Sequence, residues 1–166
     1  GDILLGYKTV MNPINDKIIV QNSKDYRIYS LEIIEKKVQL KSYKFFRVNV
    51  DFINKTYIDI LHPDSYNDFQ EVLLRLFTNA KTNRAWRPFY KYREQFIILE
   101  SFYNKDGSLL TNKDIDFGYA TTIHKAQGST YNNVAVIYNN IKVCKIEKDR
   151  KRLAYVALSR CKYLNL

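Results

Sequence analysis

The chain has 166 residues, of which 46% are hydrophobic and 27% are charged. This composition predicts one globular domain, or one domain carrying an insert, and excludes a disordered chain. Lys and Arg outnumber Asp and Glu by 27 to 17, which gives a net charge of +10 at pH 7. No apolar run approaches the roughly 20 residues of a membrane span, and no signal-peptide pattern opens the sequence.

The residue types that bind metals are few in this chain. Cys144, Cys161, His62 and His124 have no spacing typical of a metal site. We therefore predict no metal site. A disulfide is equally unexpected, so we expect an intracellular protein.

Cations and aromatic rings are both abundant, with 14 Tyr, 9 Phe and one Trp beside the 27 basic residues. This combination suits single-stranded nucleic acid, because lysines follow the phosphates and rings stack on the bases. An AT-rich genome, whose codons favour Lys, Asn, Ile and Tyr, explains the composition equally well. Composition alone therefore leaves both interpretations open.

The first 62 residues predict mostly strands. Residues 2–7 form a buried-type strand, and its position at the start predicts that the chain begins inside a larger protein. Met11, Ile14, Ile18 and Ile19 then fall at helical spacing. Alternating and β-branched runs follow between residues 26 and 62 and favour a small antiparallel barrel or meander.

A helical region with a basic and aromatic character comes next. His62-Pro63-Asp64 is typical of a helix entry, and residues 69–77 carry an amphipathic apolar face. The span from residue 72 to residue 93 contains no acidic residue, and its cations are interleaved with the aromatic residues Trp86, Phe89, Tyr90 and Tyr92. Six basic residues lie there: Arg75, Lys81, Arg84, Arg87, Lys91 and Arg93. The span is interpreted either as an element that stacks on or splits nucleic-acid strands, or as a solvated helical hairpin with its own small core.

From residue 116 the pattern becomes that of an α/β fold. It comprises a strand near 116–121, a polar turn or short helix up to Thr130, a strand over 134–138, a basic linker, a helix over 149–161 and a strand over 163–166. The sequence therefore predicts a split α/β domain over 1–22 and 116–166. The intervening insert has strands at 24–62 and a helical extension and return at 63–115.

Two short segments of this α/β part carry the candidate chemistry. Thr122, His124 and Thr130 can hydrogen-bond phosphate or sugar oxygens, and Gly128 allows close backbone approach to an anion. His124 has the alternative of a structural role in a turn. Arg160, at the end of the last helix, can stabilise a transferring phosphoryl group or hydrogen-bond the final helix carbonyls.

A complete nucleotide site is not encoded in these 166 residues. The sequence has no G-x-x-x-x-G-K-[ST] phosphate loop, and no apolar strand in it ends in paired acids that would hold Mg²⁺. The chain is therefore predicted to complete an ATP site that another domain builds.

Thr122-Ile-His-Lys-Ala-Gln-Gly-Ser-Thr130 resembles motif V of superfamily 1 helicases, and Tyr155-Val-Ala-Leu-Ser-Arg160 resembles their motif VI. Leu4-Leu-Gly-Tyr-Lys8 resembles motif IV more loosely. The likeness is to the superfamily 1B (RecD/Dda-like) branch, with a UvrD-type C-terminal domain. It implies a second RecA-like α/β domain without its own phosphate loop. It also implies an inserted Src-homology-3-like β-barrel with a helical extension near Trp86.

The resemblance implies a role for each matching residue. Thr122, His124 and Thr130 would contact single-stranded DNA, with Trp86 and Arg87 supporting the strand. Gln127, Gly128 and Lys8 would lie at the nucleotide, and Arg160 would be the catalytic arginine finger. Thr130 stands where many relatives have Glu, and Lys8 near where some have Arg.

The same resemblance implies the partners and cofactors of the whole protein. The implied cofactor is ATP with Mg²⁺ in the full-length protein, and this chain alone would bind none. The implied partners are single-stranded DNA, the missing N-terminal RecA-like domain, and replication or repair proteins. Travel along DNA would be 5′ to 3′. Two alternatives stay open: a non-enzymatic basic module that binds single strands or docks a partner, and a superfamily 1 helicase fragment from an RNA virus.

Overall fold

The structure is a computed structural model that describes residues 2–120, 122–128 and 130–162, with the side chain of Lys125 left undescribed. It divides into two compact units, Gly1–Gly118 and Tyr119–Leu166, which are described separately below. Across the described residues, no helix combines the length and the apolar character that a bilayer crossing requires.

The described residues form ten strands and five α-helices. The strands are β1 (Ile3–Gly6), β2 (Val10–Met11), β3 (Ile18–Val20), β4 (Asp25–Arg27), β5 (Ser30–Val38), β6 (Lys41–Asp51), β7 (Thr56–Leu61), β8 (Phe102–Tyr103), β9 (Leu109–Thr111) and β10 (Ile115–Phe117). The helices are α1 (Tyr66–Asn83), α2 (Arg87–Arg93), α3 (Ile123–Ala126), α4 (Tyr138–Lys142) and α5 (Glu147–Leu158), with a 3₁₀ turn at Pro63–Ser65 before α1.

The first sheet of the first unit places β1 between β10 and β4, all antiparallel. Leu4 faces Phe117 on one side and Tyr26 on the other. Gly6 ends β1 where the chain passes close to Gln21, whose carbonyl oxygen would lie 2.1 Å from any Cβ at residue 6. Only glycine therefore fits at this crossing.

The second sheet is an antiparallel meander of β5, β6 and β7. Strand β6 pairs with β5 on one side and β7 on the other, and its successive side chains point alternately into two different hydrophobic cores. Phe45 belongs to the core under the helices, whereas its neighbour Phe46 packs against the core shared with the first sheet. The predicted antiparallel strands of this region are confirmed as a meander.

Helix α1 packs its apolar face onto the meander. His62 Nδ1 accepts a hydrogen bond from the Asp64 amide at 3.1 Å and so caps the turn that opens the helix. Phe69 and Leu73 are completely buried among aromatic rings of α2 and the following segment. Within this core, the hydroxyls of Tyr43 and Tyr92 lie 2.8 Å apart. Burial, together with this hydrogen bond, raises the pKa of Tyr92. The predicted helix entry and amphipathic helix are confirmed.

A buried ionic cluster ties the end of α2 to the strands. Asp114 is completely buried, and its Oδ2 accepts hydrogen bonds from Arg93 Nη2 at 2.7 Å and from the Ile98 amide at 2.9 Å. Lys8 Nζ lies 2.8 Å from Oδ1 as an ion pair, although Oδ1 has no partner with hydrogen-bond geometry among the described residues. Arg93 also donates to Thr111 Oγ1 at 2.6 Å.

The second unit is small and mostly helical. Ala126 of α3, Ile141 of α4 and Ala157 of α5 are its buried apolar side chains among the described residues. Residue 131 pairs with residue 161 as an isolated parallel bridge. The predicted short helix before Thr130 is confirmed as α3, and the predicted helix over 149–161 is confirmed as α5, which begins and ends two to three residues earlier.

Two predicted elements are wrong. The helix predicted across Met11–Ile19 is the hairpin of β2 and β3. The strand predicted over 134–138 has no strand geometry, and α4 begins at its last residue, Tyr138. The strand predicted over 163–166 lies outside the described residues. The predicted division into 1–22 plus 116–166, 24–62 and 63–115 stays a prediction.

Candidate nucleic-acid and nucleotide site

Most of the predicted site residues lie around the short helix α3 in the second unit. The Ala126 amide donates to the Thr122 carbonyl at 3.0 Å, and the Gln127 amide donates to the His124 carbonyl at 3.3 Å. Ala126 is buried, and it anchors the turn. Thr122, His124 and Gln127 are exposed. Their side chains are therefore accessible to a ligand, whereas the backbone that carries them is fixed by the buried Ala126.

Gly128 ends this helix with a left-handed backbone. Its φ is +91°, a conformation that residues with a Cβ rarely adopt, although no described atom lies within 4 Å of the position that a Cβ would take. The conformation, and not the available space, requires glycine here. Thr130 follows and is exposed.

The two segments that carry the predicted chemistry are joined by backbone pairing. The Tyr131 amide donates to the Arg160 carbonyl at 2.8 Å, and the Lys162 amide donates to the Tyr131 carbonyl at 2.8 Å. Thr130 and Arg160, about 30 residues apart in sequence, are therefore neighbours across this bridge. Sequence reasoning missed Tyr131, because a contact made by backbone atoms leaves no signal in the residue type.

Arg160 lies at the carboxyl end of α5 and is half-buried. Its Nε donates to the Val156 carbonyl at 3.3 Å, and its Nη2 lies 3.0 Å from Ser159 Oγ. The guanidinium thus makes the helix-end contact that the sequence offered as the alternative to an arginine finger. Val156 and Ser159 belong to the same helix end as Arg160.

The basic charge of the chain is concentrated in this unit. Residues 119–166 contain nine Lys or Arg and two acids, Glu147 and Asp149, and so carry seven of the ten net positive charges. The first unit, with more than twice the residues, is close to balanced. The net positive charge of the second unit would therefore attract a polyanion such as a nucleic acid.

The remaining predicted residues lie in the first unit. Lys8, predicted at the nucleotide, is the ion-pair partner of buried Asp114. Trp86 is the N-cap residue of α2 and contacts the rings of Phe77 and Phe89, with 36% of its surface exposed.

Arg87 is exposed beside Trp86. Arg93, counted among the six cations of this span, is instead only 6% exposed and serves the buried ionic cluster. Within residues 72–93, the aromatic rings therefore form part of a local core. Arg93 does not contribute to the basic outer surface of this span, because it is buried.

The described residues contain no group of three His, Cys, Asp or Glu side chains that could hold a metal ion. No step through Mg²⁺ is assigned to this chain.

Comparison with known proteins finds a family model that matches the end of the chain. Residues 117–164 match the family model described as the UvrD-like helicase C-terminal domain. The match contains both the segment around α3 and the segment ending at Arg160. It supports a UvrD-type helicase C-terminal region, and the mixed α/β structure with small sheets is consistent with it.

Three curated proteins are similar over part of their length. The uncharacterized protein MJ1519 of Methanocaldococcus jannaschii is 31% identical over 83 residues, which are 50% of this chain and 7% of that protein. The conjugal transfer protein TraA of Rhizobium radiobacter is 40% identical over 68 residues, 41% of this chain and 5% of that protein. The probable conjugal transfer protein TraA of Sinorhizobium fredii is 37% identical over 70 residues, 42% of this chain and 5% of that protein. The matched region is thus a small fraction of each relative.

Proposed function

We propose that this chain is the C-terminal part of an ATP-dependent DNA helicase of superfamily 1B. It would bind single-stranded DNA and supply the arginine finger to an ATP site completed by an N-terminal RecA-like domain outside these residues. One observation carries the proposal. The family match covers both motif-like segments, and the Tyr131–Cys161 bridge holds those segments side by side.

The proposed DNA contacts are Thr122, His124 and Thr130. All three are exposed. Thr122 precedes α3 and His124 lies in it, and buried Ala126 fixes the position of this short helix. Hydroxyl and imidazole groups hydrogen-bond phosphate and sugar oxygens without reading the base sequence, as a motor that travels along DNA requires. In the first unit, Trp86 and Arg87 would support the advancing strand through a partly exposed ring and an exposed cation.

The proposed nucleotide contacts are Gln127, Gly128 and Arg160. Gln127 and Gly128 immediately follow the DNA-contacting turn, so a shift at the nucleotide would move the strand contacts directly. Arg160 would exchange its bonds to Val156 and Ser159 for the γ-phosphate when the first domain closes. A planar guanidinium binds phosphate oxygens in pairs and stabilises the charge of the transferring group.

A nucleotide contact by Lys8 would require the loss of an ion pair. Its ammonium would have to leave Asp114 to reach a phosphate, and Arg93 would then neutralise that carboxylate alone. ATP with Mg²⁺ would lie between this chain and the N-terminal RecA-like domain. The RecA-like and Src-homology-3-like assignments of the two parts belong to the same proposal.

The proposed strand contacts are tested by oligonucleotide binding to the 166-residue chain. The double substitution Thr122→Val with His124→Ala should weaken the binding of a fluorescent 20-nucleotide single strand by about 10-fold, because it removes two polar contacts worth ~1 kcal/mol or slightly less each. Fluorescence anisotropy at fixed salt measures the dissociation constant.

The matched control is Thr56→Val, which replaces an exposed threonine of β7 in the other unit. It should leave the affinity unchanged. Equal affinities for the double variant, the control and the wild type, with all three folded by circular dichroism, would rule out Thr122 and His124 as strand contacts.

A further inference from the structure

Helix α5 carries a row of basic side chains that the proposed site does not use. Lys148, Lys151, Arg152 and Tyr155 are spaced three and four residues apart and therefore lie on one face of the helix, here called the basic stripe. All four are exposed, and the Tyr155 side chain is 73% exposed. The opposite face turns Ala157 inward, so the helix is fixed with the stripe outward.

The acids near the stripe do not neutralise it. Glu147 lies 2.7 Å from Lys151, and Asp149 lies 3.7 Å from Arg152, and in both pairs the side chains are largely in solvent. Exposed pairs of this kind are weak and exchange readily for other partners. Lys142 and Lys145 add two more exposed cations in the segment that leads into α5.

Exposed rings accompany these cations. Tyr155 belongs to the stripe, and Tyr138 at the start of α4 is 50% exposed with Lys142 Nζ 5.4 Å from its ring centroid. Cations beside open ring faces can hold the backbone of a single strand while its bases stack.

We propose that the basic stripe is a second contact surface for single-stranded nucleic acid, separate from Thr122, His124 and Thr130. Charge complementarity selects the occupant, since seven of the ten net charges lie in this unit. An anionic membrane fits less well, because Leu158 is a single exposed aliphatic side chain beside the stripe, whereas Leu153, Val156 and Ala157 lie on the half-buried or buried side of α5. The inference rests on the proposed function only in taking a single strand as the ligand.

The stripe is tested by the salt dependence of binding. The triple substitution Lys148→Gln, Lys151→Gln and Arg152→Gln removes three cations from the 166-residue chain. With a fluorescent 20-nucleotide oligothymidylate, the slope of log Kobs against log salt should become shallower by about 2, because each phosphate contact on a single strand contributes about 0.7. Tyr155→Ala should weaken binding about 5-fold or more through lost stacking, whereas Tyr155→Phe should not.

The control is a second triple variant with the same loss of charge. Lys17→Gln, Lys55→Gln and Lys105→Gln replace exposed lysines of the first unit, and the slope should stay near that of the wild type. Equal slope changes in the two triple variants would mean that only net charge matters, and would overturn the stripe as a site. Unchanged oligonucleotide binding together with lost binding to phosphatidylserine vesicles would assign the stripe to membranes and overturn it as well.

The result can be separated from that of the proposed function. If the stripe variant loses binding and the Thr122→Val with His124→Ala variant does not, the stripe stands and the proposed strand contacts fail. The reverse pattern leaves the proposed contacts standing and removes the stripe.

Discussion

Arg160→Ala in the full-length protein should lower DNA-stimulated ATP turnover by about 10³-fold to 10⁵-fold, the range measured for arginine fingers in phosphoryl transfer. The affinity for single-stranded DNA should change little, because the Arg160 side chain is proposed to contact the nucleotide and not the strand. Phosphate release under saturating ATP and oligonucleotide measures the turnover, and anisotropy measures the affinity.

Two further variants separate a finger from a helix cap. Ser159→Ala removes the hydroxyl beside the guanidinium but keeps the guanidinium itself, so turnover should stay within about 10-fold of the wild type. Arg27→Ala removes an exposed arginine of β4 and should have no effect. Full turnover in Arg160→Ala, or an equal loss in Ser159→Ala, would show that Arg160 only completes the end of α5.

Asp114→Ala should destabilise the chain by about 3–5 kcal/mol. The substitution leaves the guanidinium of Arg93, which is 6% exposed, without its carboxylate, and leaves the Ile98 amide without an acceptor. Removing one partner of a buried ion pair is costly because the other charge stays buried and unpaired. Urea unfolding followed by circular dichroism measures the change in free energy.

Asp116→Ala is the matched control, two residues further along. Asp116 pairs with Lys113 at the surface, where both side chains are 28% exposed, and its loss should cost less than about 1 kcal/mol. The double substitution Arg93→Met with Asp114→Leu should recover part of the stability lost by Asp114→Ala, since no buried charge is left unpaired. A cost below about 1 kcal/mol for Asp114→Ala would contradict the importance of the cluster.

The elements that the sequence predicts correctly are those with a long, regular signal. Helix α1 follows from apolar residues that recur on one face over about two and a half turns and from the entry at His62-Pro63. The meander follows from alternating runs with turns between them. In both cases the local pattern and the tertiary packing agree.

The wrong prediction at Met11–Ile19 has a local cause. Met11, Ile14 and Ile18 have helical spacing, but Asn12 Oδ1 accepts a hydrogen bond from the Ile14 amide at 2.9 Å. Asp16 then adopts a φ of +55°, which a helix excludes. Side chains that bond to nearby amides compete with the helix and favour a turn, and here the turn joins β2 to β3.

The contacts that could not be predicted are those between distant residues. Lys8, Arg93 and Asp114 meet in one cluster although 106 positions separate the first from the last. The residues 134–137 are apolar, yet in the described part of the chain no strand pairs with them, and a strand without a partner is not stable. The pairing of Tyr131 with Cys161 uses backbone atoms alone. Such contacts depend on the topology of the chain and not on any local pattern.

We propose that this chain completes an ATP site that it does not itself contain. The measurement is steady-state phosphate release by the purified 166-residue chain with ATP, Mg²⁺ and a single-stranded oligonucleotide, beside the full-length protein at equal concentration. We predict release by the full-length protein and none above the enzyme-free blank by the chain, because no phosphate loop occurs in its sequence. Hydrolysis by the chain alone, abolished by Arg160→Ala in that same chain, would contradict the account.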